Sequence, residues 1–213
     1  MDEDNKSFDL TRVTKIFTDS LKDETDVFLK QYLNAYEELS KIFTMLGRIF
    51  GFVESDVVNK LNILSTCLEN KPENYNAVLT MIQYECSGNN KPLDQGSRTL
   101  LRLHRALDFI IKFVNGLMEG HCSGISIHEI VKKAYDETLA NFHGFIIRKS
   151  VGLAVYGLPD REQILRRFFK IPESEEIPTE KIINEAEEFH SVANEVYSRI
   201  QIAYETRNLL NLP

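Results

Sequence analysis

Apolar residues recur at intervals of three and four along nearly the whole chain of 213 residues. This spacing places them on one side of an α-helix, and no segment alternates apolar and polar residues for long enough to indicate a β-strand. Turn-forming residues divide the pattern into about eight helices, predicted over residues 7–22, 27–50, 55–70, 72–86, 98–119, 126–157, 159–170 and 180–210. The pattern therefore predicts an all-α protein.

The boundaries of the predicted helices carry their own signals. Ser55 is expected to cap the third helix, because a serine hydroxyl accepts hydrogen bonds from free backbone N–H groups at a helix start. Pro72 suits the first turn of the fourth helix, where a missing N–H costs little. Residues 87–97 are rich in turn formers and are expected to form a loop. No internal repeat or low-complexity linker is present, so residues 1–213 are predicted to form a single domain.

One face of the fifth predicted helix changes character along its length. Three arginines lie four and three residues apart and therefore share this face, opposite the apolar stripe: Arg98, Arg102 and Arg105. The next two members of the same face are Phe109 and Phe113. The pattern raises the question of why one face combines guanidinium groups with phenyl rings.

Charge and cysteine content restrict the classes of function. The formal net charge is −7, which argues against a general nucleic-acid binder, since such proteins are usually basic over a whole face. Cys67, Cys86 and Cys122 lack metal-binding spacing and are expected to be free thiols in a reducing compartment. The sequence begins with an acidic segment and contains no apolar run of about 18 residues. We therefore expect a cytoplasmic protein without a signal peptide or a transmembrane segment.

Motifs of catalysis and metal binding are absent from the sequence. His128 and Glu129 begin a pattern like that of zinc proteases, but Lys132 stands where the second histidine is required. There is no P-loop, dinucleotide-binding glycine motif, nucleophile elbow or EF-hand loop. We therefore predict no catalytic residue, no metal site and no cofactor, and a protein that is not an enzyme.

The remaining candidates are polar residues set beside apolar ones. Asp56 and Lys60 are four residues apart, as are Arg98 and Arg102, and His143 lies among phenylalanine and isoleucine residues. Each has an ordinary structural explanation: a surface ion pair, arginines whose stems pack while their heads stay in water, and a hydrogen-bonded core histidine. Taken alone, none of these features establishes a binding site.

Three segments resemble the glycolipid transfer protein family, in register over about residues 28–170. They are IFGFVESDVVNKLNIL, SRTLLRLHRALDFI and LANFHGFIIRKSVGLAVYGLPDR. The resemblance implies a two-layer helical sandwich that holds a single sphingolipid, with its headgroup at a surface site and its hydrocarbon chains in an apolar pocket. It also implies a lipid-transfer domain that acts as a carrier and not as an enzyme.

The charged residues resemble those of the family's ceramide-1-phosphate transfer branch, which includes the plant accelerated-cell-death protein. Lys60 stands four residues after Asp56, where the glycolipid branch has asparagine. Arg102 stands where that branch has a tryptophan platform for sugar, and this chain contains no tryptophan. One departure from the pattern is Phe145, where many members have tryptophan. The resemblance implies a headgroup site of five residues: Asp56, Lys60, Arg98, Arg102 and His143.

The chemistry of a phosphorylated sphingolipid fits this implied site. A phosphomonoester carries about −1.5 to −2 charges near neutral pH, so Lys60, Arg98 and Arg102 are expected to bind the phosphate. Asp56 is expected to accept a hydrogen bond from the ceramide amide or hydroxyl, and His143 to donate one to the amide carbonyl. A face that begins with arginines and continues as phenylalanines suits a ligand that is half charged and half hydrocarbon.

We therefore expect non-vesicular transfer of a phosphorylated sphingolipid, ceramide-1-phosphate in the first place, between membranes. Two alternatives stay open: transfer of a neutral glycosphingolipid, and a phosphosphingolipid sensor that acts through a protein partner. The expected partners are the lipid and, transiently, a membrane surface, with no nucleic acid, and the expected state is a monomer. Residues 161–171 combine apolar and basic residues and are a candidate membrane-docking segment. The alternative for that segment is a helix that packs into the core.

Overall fold

All regular secondary structure in the described residues is helical. The computed structural model describes residues 8–47, 50–87 and 95–213 and, of residues 120–123, the backbone alone. The α-helices in these ranges are α1 (Leu10–Ser20), α2 (Leu29–Leu46), α3 (Gly51–Asn70), α4 (Pro72–Tyr75), α5 (Val78–Ser87), α6 (Gln95–Ser123), α7 (Ile127–Glu137), α8 (Phe145–Ala154), α9 (Arg161–Phe168) and α10 (Thr179–Glu205). Short 3-10 turns cover Ala140–Phe142 and Val155–Gly157. The all-α prediction is confirmed, with more and shorter helices than the pattern predicts.

The central helix of the packing is α6. It contacts α3, α5, α7 and α10, while α1 packs on α2 and α10, and α2 packs on α3. These contacts close into a ring, as expected of the predicted two-layer helical sandwich. The apolar stripe predicted for α6 is buried and forms the middle of the core: Leu100, Leu103, Leu107, Ile110, Ile111, Val114 and Leu117.

The junction between α2 and α3 differs from the prediction. Gly47, with φ of 110°, adopts a backbone conformation that residues with a side chain rarely reach, and α2 ends just before it. α3 begins at Gly51 and its N-cap is Phe50, so the prediction that Ser55 caps this helix is wrong. Residues 48–49 of the predicted second helix lie outside the described residues. The earlier start of α3 adds a full turn before Asp56.

The helix predicted over residues 72–86 is divided into α4 and α5. Pro72 stands in the first turn of α4, as predicted. The break follows from a buried carboxylate on another segment: Oδ1 of Asp26 accepts a hydrogen bond from the Leu79 N–H at 2.9 Å, as an N-cap side chain would. Residues 88–94 of the predicted loop, and residues 1–7 of the predicted domain, lie outside the described residues.

The prediction of a single helix over residues 126–157 is also wrong, and the break in it lies beside His143, one of the predicted site residues. α7 ends at Glu137, and the hydroxyl of the next residue, Thr138, donates to the Ala134 carbonyl at 2.6 Å, a contact that competes with regular helical bonding. His143 then takes an extended backbone with φ of −106° and ψ of 136°, before α8 begins. The break therefore turns the backbone at His143 away from a helical path.

Three of the apolar side chains in the candidate docking segment at residues 161–171 belong to the core and not to the surface. Ile164, Leu165 and Phe168 of α9 are buried. Two of its arginines bind backbone carbonyls of other segments: Nε of Arg161 donates to Leu117 at 3.0 Å, and Arg167 donates to Met45 at 2.7 Å. The docking prediction for this segment is therefore wrong, because the side chains that would enter a membrane hold α9 to the fold.

Candidate functional site

A cavity of about 310 Å³ lies beside α6, with walls from α2, α3, α7 and the segment from Leu139 to Val151. Its apolar lining is broad: Phe43, Leu46, Phe50, Phe52, Val53, Val57, Leu103, Ala106, Phe109, Val131, Leu139, Phe142, Ile147, Val151 and Pro213. Its polar lining is a small group: Asp56, Lys60, Arg102, Arg105, Tyr135 and His143. Asp56 and Arg102 are exposed, whereas much of the apolar lining is buried, so these two charged side chains stand at the opening.

Asp56 and Lys60 form an ion pair on the cavity side of α3. They lie one helical turn apart, the spacing at which side chains meet on a helix surface. The lysine side chain is 11% exposed and the aspartate side chain 64% exposed. The carboxylate therefore faces solvent while the ammonium group lies in the wall of the cavity.

Arg102 supplies a cation from α6 to the same cavity. Its side chain is exposed and makes no hydrogen bond or ion pair with any described residue. Arg105 lies one turn further on, and burial together with the charge of Arg102 lowers the pKa of its guanidinium. Both cations line the same cavity.

Arg98 is placed differently from the other predicted residues. It lies half-buried in the first turn of α6, about 6 Å along the axis from Arg102, and it is not among the described residues that line the cavity. The structure thus brings Asp56, Lys60, Arg102 and His143 to one cavity and leaves Arg98 at its edge.

His143 is held by a tyrosine from the preceding helix. Nδ1 of His143 lies 2.9 Å from the hydroxyl of Tyr135. Burial lowers the pKa of His143, with Asp56 raising it and Lys60 lowering it by smaller amounts. The imidazole is therefore neutral near pH 7, and it lies within the field of the Asp56–Lys60 pair.

Sequence reasoning missed two side chains of this site. Arg105 carried a usable signal, because it shares a helix face with Arg102. No signal in the sequence indicated Tyr135, because its contact with His143 depends on the break after α7, and the pattern predicts an unbroken helix there.

An exposed apolar surface surrounds one side of the opening and is formed mainly by α8. Of the ten residues of α8, Ala154 alone is buried. Ile146 is 79% exposed and Leu153 is 72% exposed, and Arg148 and Lys149 stand among the apolar residues. Exposed apolar residues gathered on one element are unusual on a monomeric surface and mark a contact site. We call residues 142–156 the α8 surface.

Two searches of the described residues were negative. No group of three or more histidine, cysteine, aspartate or glutamate side chains is arranged to hold a metal ion within the described ranges. Within the same ranges, no helix combines the length and apolar character needed to span a bilayer. Cys67 and Cys86 are free thiols, and the side chain of Cys122 lies outside the described part.

Comparison with known proteins identifies the family. The profile described as glycolipid transfer protein matches residues 27–170. A ceramide-1-phosphate transfer protein of Danio rerio is 35% identical over 216 residues, covering 97% of this chain and 99% of the relative. The apo-form crystal structure of mouse ceramide-1-phosphate transfer protein superposes with a TM-score of 0.85 and is 32% identical in sequence. The crystal structure of the human protein in complex with 12:0 ceramide-1-phosphate superposes with a TM-score of 0.85 and is 29% identical. Each comparison covers 97% of this chain and 100% of the other chain. The chain therefore belongs to the glycolipid transfer protein family.

Proposed function

We propose that this protein carries ceramide-1-phosphate between membranes, with the phosphate on the cations at the opening and the hydrocarbon chains in the apolar cavity. The observation that carries the proposal is the arrangement of the cavity lining, which is cationic at the opening and apolar within. The relatives named above are ceramide-1-phosphate transfer proteins, which supports the choice of lipid.

The phosphate is bound by Lys60 and Arg102, with Arg98 adding charge from one turn away. A phosphomonoester carries about −1.5 to −2 charges near neutral pH, and charge-assisted hydrogen bonds to such a group are the strongest available to side chains. A neutral sugar would leave these cations uncompensated. The charge pattern therefore favours a phosphate headgroup over the glycosphingolipid alternative.

The amide group of ceramide is bound by Asp56 and His143. When Lys60 turns to the phosphate, the Asp56 carboxylate is free to accept from the amide N–H. The Tyr135 hydroxyl donates to Nδ1 of the neutral His143, which leaves the ring proton on Nε2. Nε2 then donates to the amide carbonyl, so the two residues together recognise both sides of one amide.

The hydrocarbon chains require the apolar cavity. Burying one CH₂ is worth roughly 0.8 kcal/mol, so a chain of about 16 carbons that leaves a bilayer unaided faces a cost of about 13 kcal/mol. Hydrogen bonds to the headgroup cannot offset a cost of this size. The apolar lining supplies the surface that replaces the bilayer during transfer.

Membrane contact is made by the α8 surface, and the protein works in the cytoplasm as a peripheral monomer. Phe145 and Ile146 offer apolar side chains for insertion, and Arg148 and Lys149 offer charge to anionic headgroups. The surface adjoins the cavity, because Ile147 and Val151 of α8 line it. A lipid leaving the bilayer would then reach the opening without crossing water.

The test is a vesicle-to-vesicle transfer assay with fluorescent ceramide-1-phosphate and glucosylceramide. We expect the parent to transfer the phosphate lipid and Arg102→Gln to lose about tenfold or more of that rate, the equivalent of one charge-assisted hydrogen bond. Arg207→Gln, a change at an exposed arginine that does not line the cavity, is the matched control. Equal rates for Arg102→Gln and Arg207→Gln would overturn the headgroup site. Tight binding with very slow transfer would favour a sensor instead.

A further inference from the structure

Arg105 is the cation of the cavity that binds other parts of the chain. Its Nη2 donates to the carbonyl oxygens of Leu210 at 2.7 Å and Leu212 at 3.2 Å. Its guanidinium carbon lies 3.8 Å from the centre of the Phe142 ring, which is a cation–π contact. One side chain of α6 therefore connects the segment after α10 to the segment that carries His143.

The segment after α10, residues 206–213, is folded back onto the cavity. α10 ends five residues before its predicted end. Asn208 takes a left-handed conformation with φ of 54°, which asparagine tolerates better than most residues. Leu209 is buried, and its N–H donates to a carbonyl in the last turn of α10 at 3.0 Å. These contacts direct the chain so that Pro213 lines the cavity.

We infer that residues 210–213, held in place by Arg105, form a wall that limits the size of the headgroup. The inference rests on the proposed function, since Pro213 lines the same cavity as Lys60 and Arg102. A phosphomonoester ends at its three terminal oxygens. A phosphodiester headgroup carries a further substituent beyond the phosphate, and this substituent needs the space that the wall fills.

The wall is suited to steric selection because it is fixed at several points. Two carbonyl groups bind one guanidinium, that guanidinium lies against an aromatic ring, and the proline ring restricts its own backbone. Leu210 and Leu212 are half-buried and Pro213 is exposed, so the wall resists a bulky substituent through these fixed points. Arg105 therefore acts as a positioning residue for the wall.

The experiment compares transfer of ceramide-1-phosphate with transfer of ceramide phosphoinositol, a phosphodiester with a neutral substituent. Pro213→Gly removes the ring from the wall, and Arg105→Gln removes the tether. Arg207→Gln is the control, because Arg207 lies in the same segment and its guanidinium donates to Ala203 and Thr206, within its own turn. The measured quantity is the ratio of the phosphodiester rate to the phosphomonoester rate, with circular dichroism to confirm folding.

We expect this ratio to rise about tenfold in Pro213→Gly and in Arg105→Gln, the effect of relieving a clash of one or two methylene groups, and to stay at the parental value in Arg207→Gln. A parent that transfers ceramide-1-phosphate, with an unchanged ratio in both wall variants, would overturn the wall and leave the proposed function intact. A parent that transfers neither lipid would overturn the proposed function, and the wall with it.

Discussion

The imidazole of His143 has the properties that the proposed contact with a neutral amide requires. Burial keeps the ring uncharged near pH 7 by lowering its pKa, and the Tyr135 hydroxyl at 2.9 Å occupies one ring nitrogen. Under the proposed function, the Tyr135 hydroxyl donates to this nitrogen, and the other ring nitrogen donates its proton to the ligand.

Removing the tyrosine hydroxyl tests this arrangement. Tyr135→Phe keeps the ring in the cavity wall but deletes the hydrogen bond to His143, and a neutral hydrogen bond is worth about 1 kcal/mol, or about fivefold in rate. We expect a loss of that size in ceramide-1-phosphate transfer. Tyr84→Phe, which removes a hydroxyl bonded to Lys71 at a distant place, is the control. A transfer rate in Tyr135→Phe equal to that of the control would argue against the positioning of His143.

The two arginines of the predicted motif should differ in importance. Arg102 lines the cavity and Arg98 does not, so Arg98→Gln should lose clearly less transfer of ceramide-1-phosphate than Arg102→Gln. We expect a loss of about threefold for Arg98→Gln against tenfold or more for Arg102→Gln. Parallel transfer assays of both variants measure the difference, and a larger loss for Arg98→Gln would contradict the observed placement.

Among the elements, α8 has the least ordinary surface. A helix with exposed isoleucine, leucine and phenylalanine side chains gains nothing from this exposure in water. The proposed contact with a membrane would account for the surface, since the same side chains would then be buried among lipid chains.

A polar substitution on α8 should weaken membrane binding. Ile146→Ser removes an apolar side chain that is 79% exposed, and Ile202→Ser on α10 removes one that is 57% exposed far from the cavity lining. Full burial of an isoleucine is worth about 1.5–3 kcal/mol, so we expect Ile146→Ser to lower vesicle affinity about tenfold, as measured by co-sedimentation. Similar losses in both variants would refute a role specific to α8.

Helix type and core faces were predictable at this scale, whereas helix breaks were not. The stripe of α6 is buried as predicted because its period is set by the local sequence. The break after Tyr75 is set by a contact with another segment, that of the Asp26 carboxylate with the Leu79 N–H, and the break at Thr138 coincides with a side-chain contact that competes with the backbone, that of its hydroxyl with the Ala134 carbonyl. Four predicted site residues line one cavity, but the positions of Tyr135 and Pro213 depend on the break after α7 and on the end of α10.

The whole molecule is an all-α lipid carrier of the glycolipid transfer protein family and not an enzyme.

The stability of the fold depends in part on a histidine in the contact between α6 and α10, the two longest described helices. Nε2 of His104 on α6 lies 2.7 Å from Oε1 of Gln201 on α10, and the ring stacks on Tyr197 at 4.2 Å. No described residue binds its buried Nδ1, so protonation would place an unpaired N–H in the core.

Acid should therefore destabilise the fold partly through His104. Burial lowers the pKa of His104 from 6.5 to about 4. Between these values the unfolded chain binds more protons than the folded chain, so the free energy of unfolding falls as pH drops from about 6.5 to about 4, by up to about 3 kcal/mol. His104→Gln should flatten this dependence in urea unfolding measured at pH 7 and pH 4.5. An equal pH dependence in parent and variant would contradict a neutral, buried His104.

The position of the phosphate tests the central claim most directly. A crystal structure of this protein with 12:0 ceramide-1-phosphate would show the position of the phosphate directly, without measurement of transfer rates. The account predicts phosphate oxygens about 3 Å from Nζ of Lys60 and from the guanidinium of Arg102, with the amide between Asp56 and His143 and a hydrocarbon chain in the apolar cavity. A lipid bound with its phosphate away from Lys60 and Arg102, or outside this cavity, would contradict it.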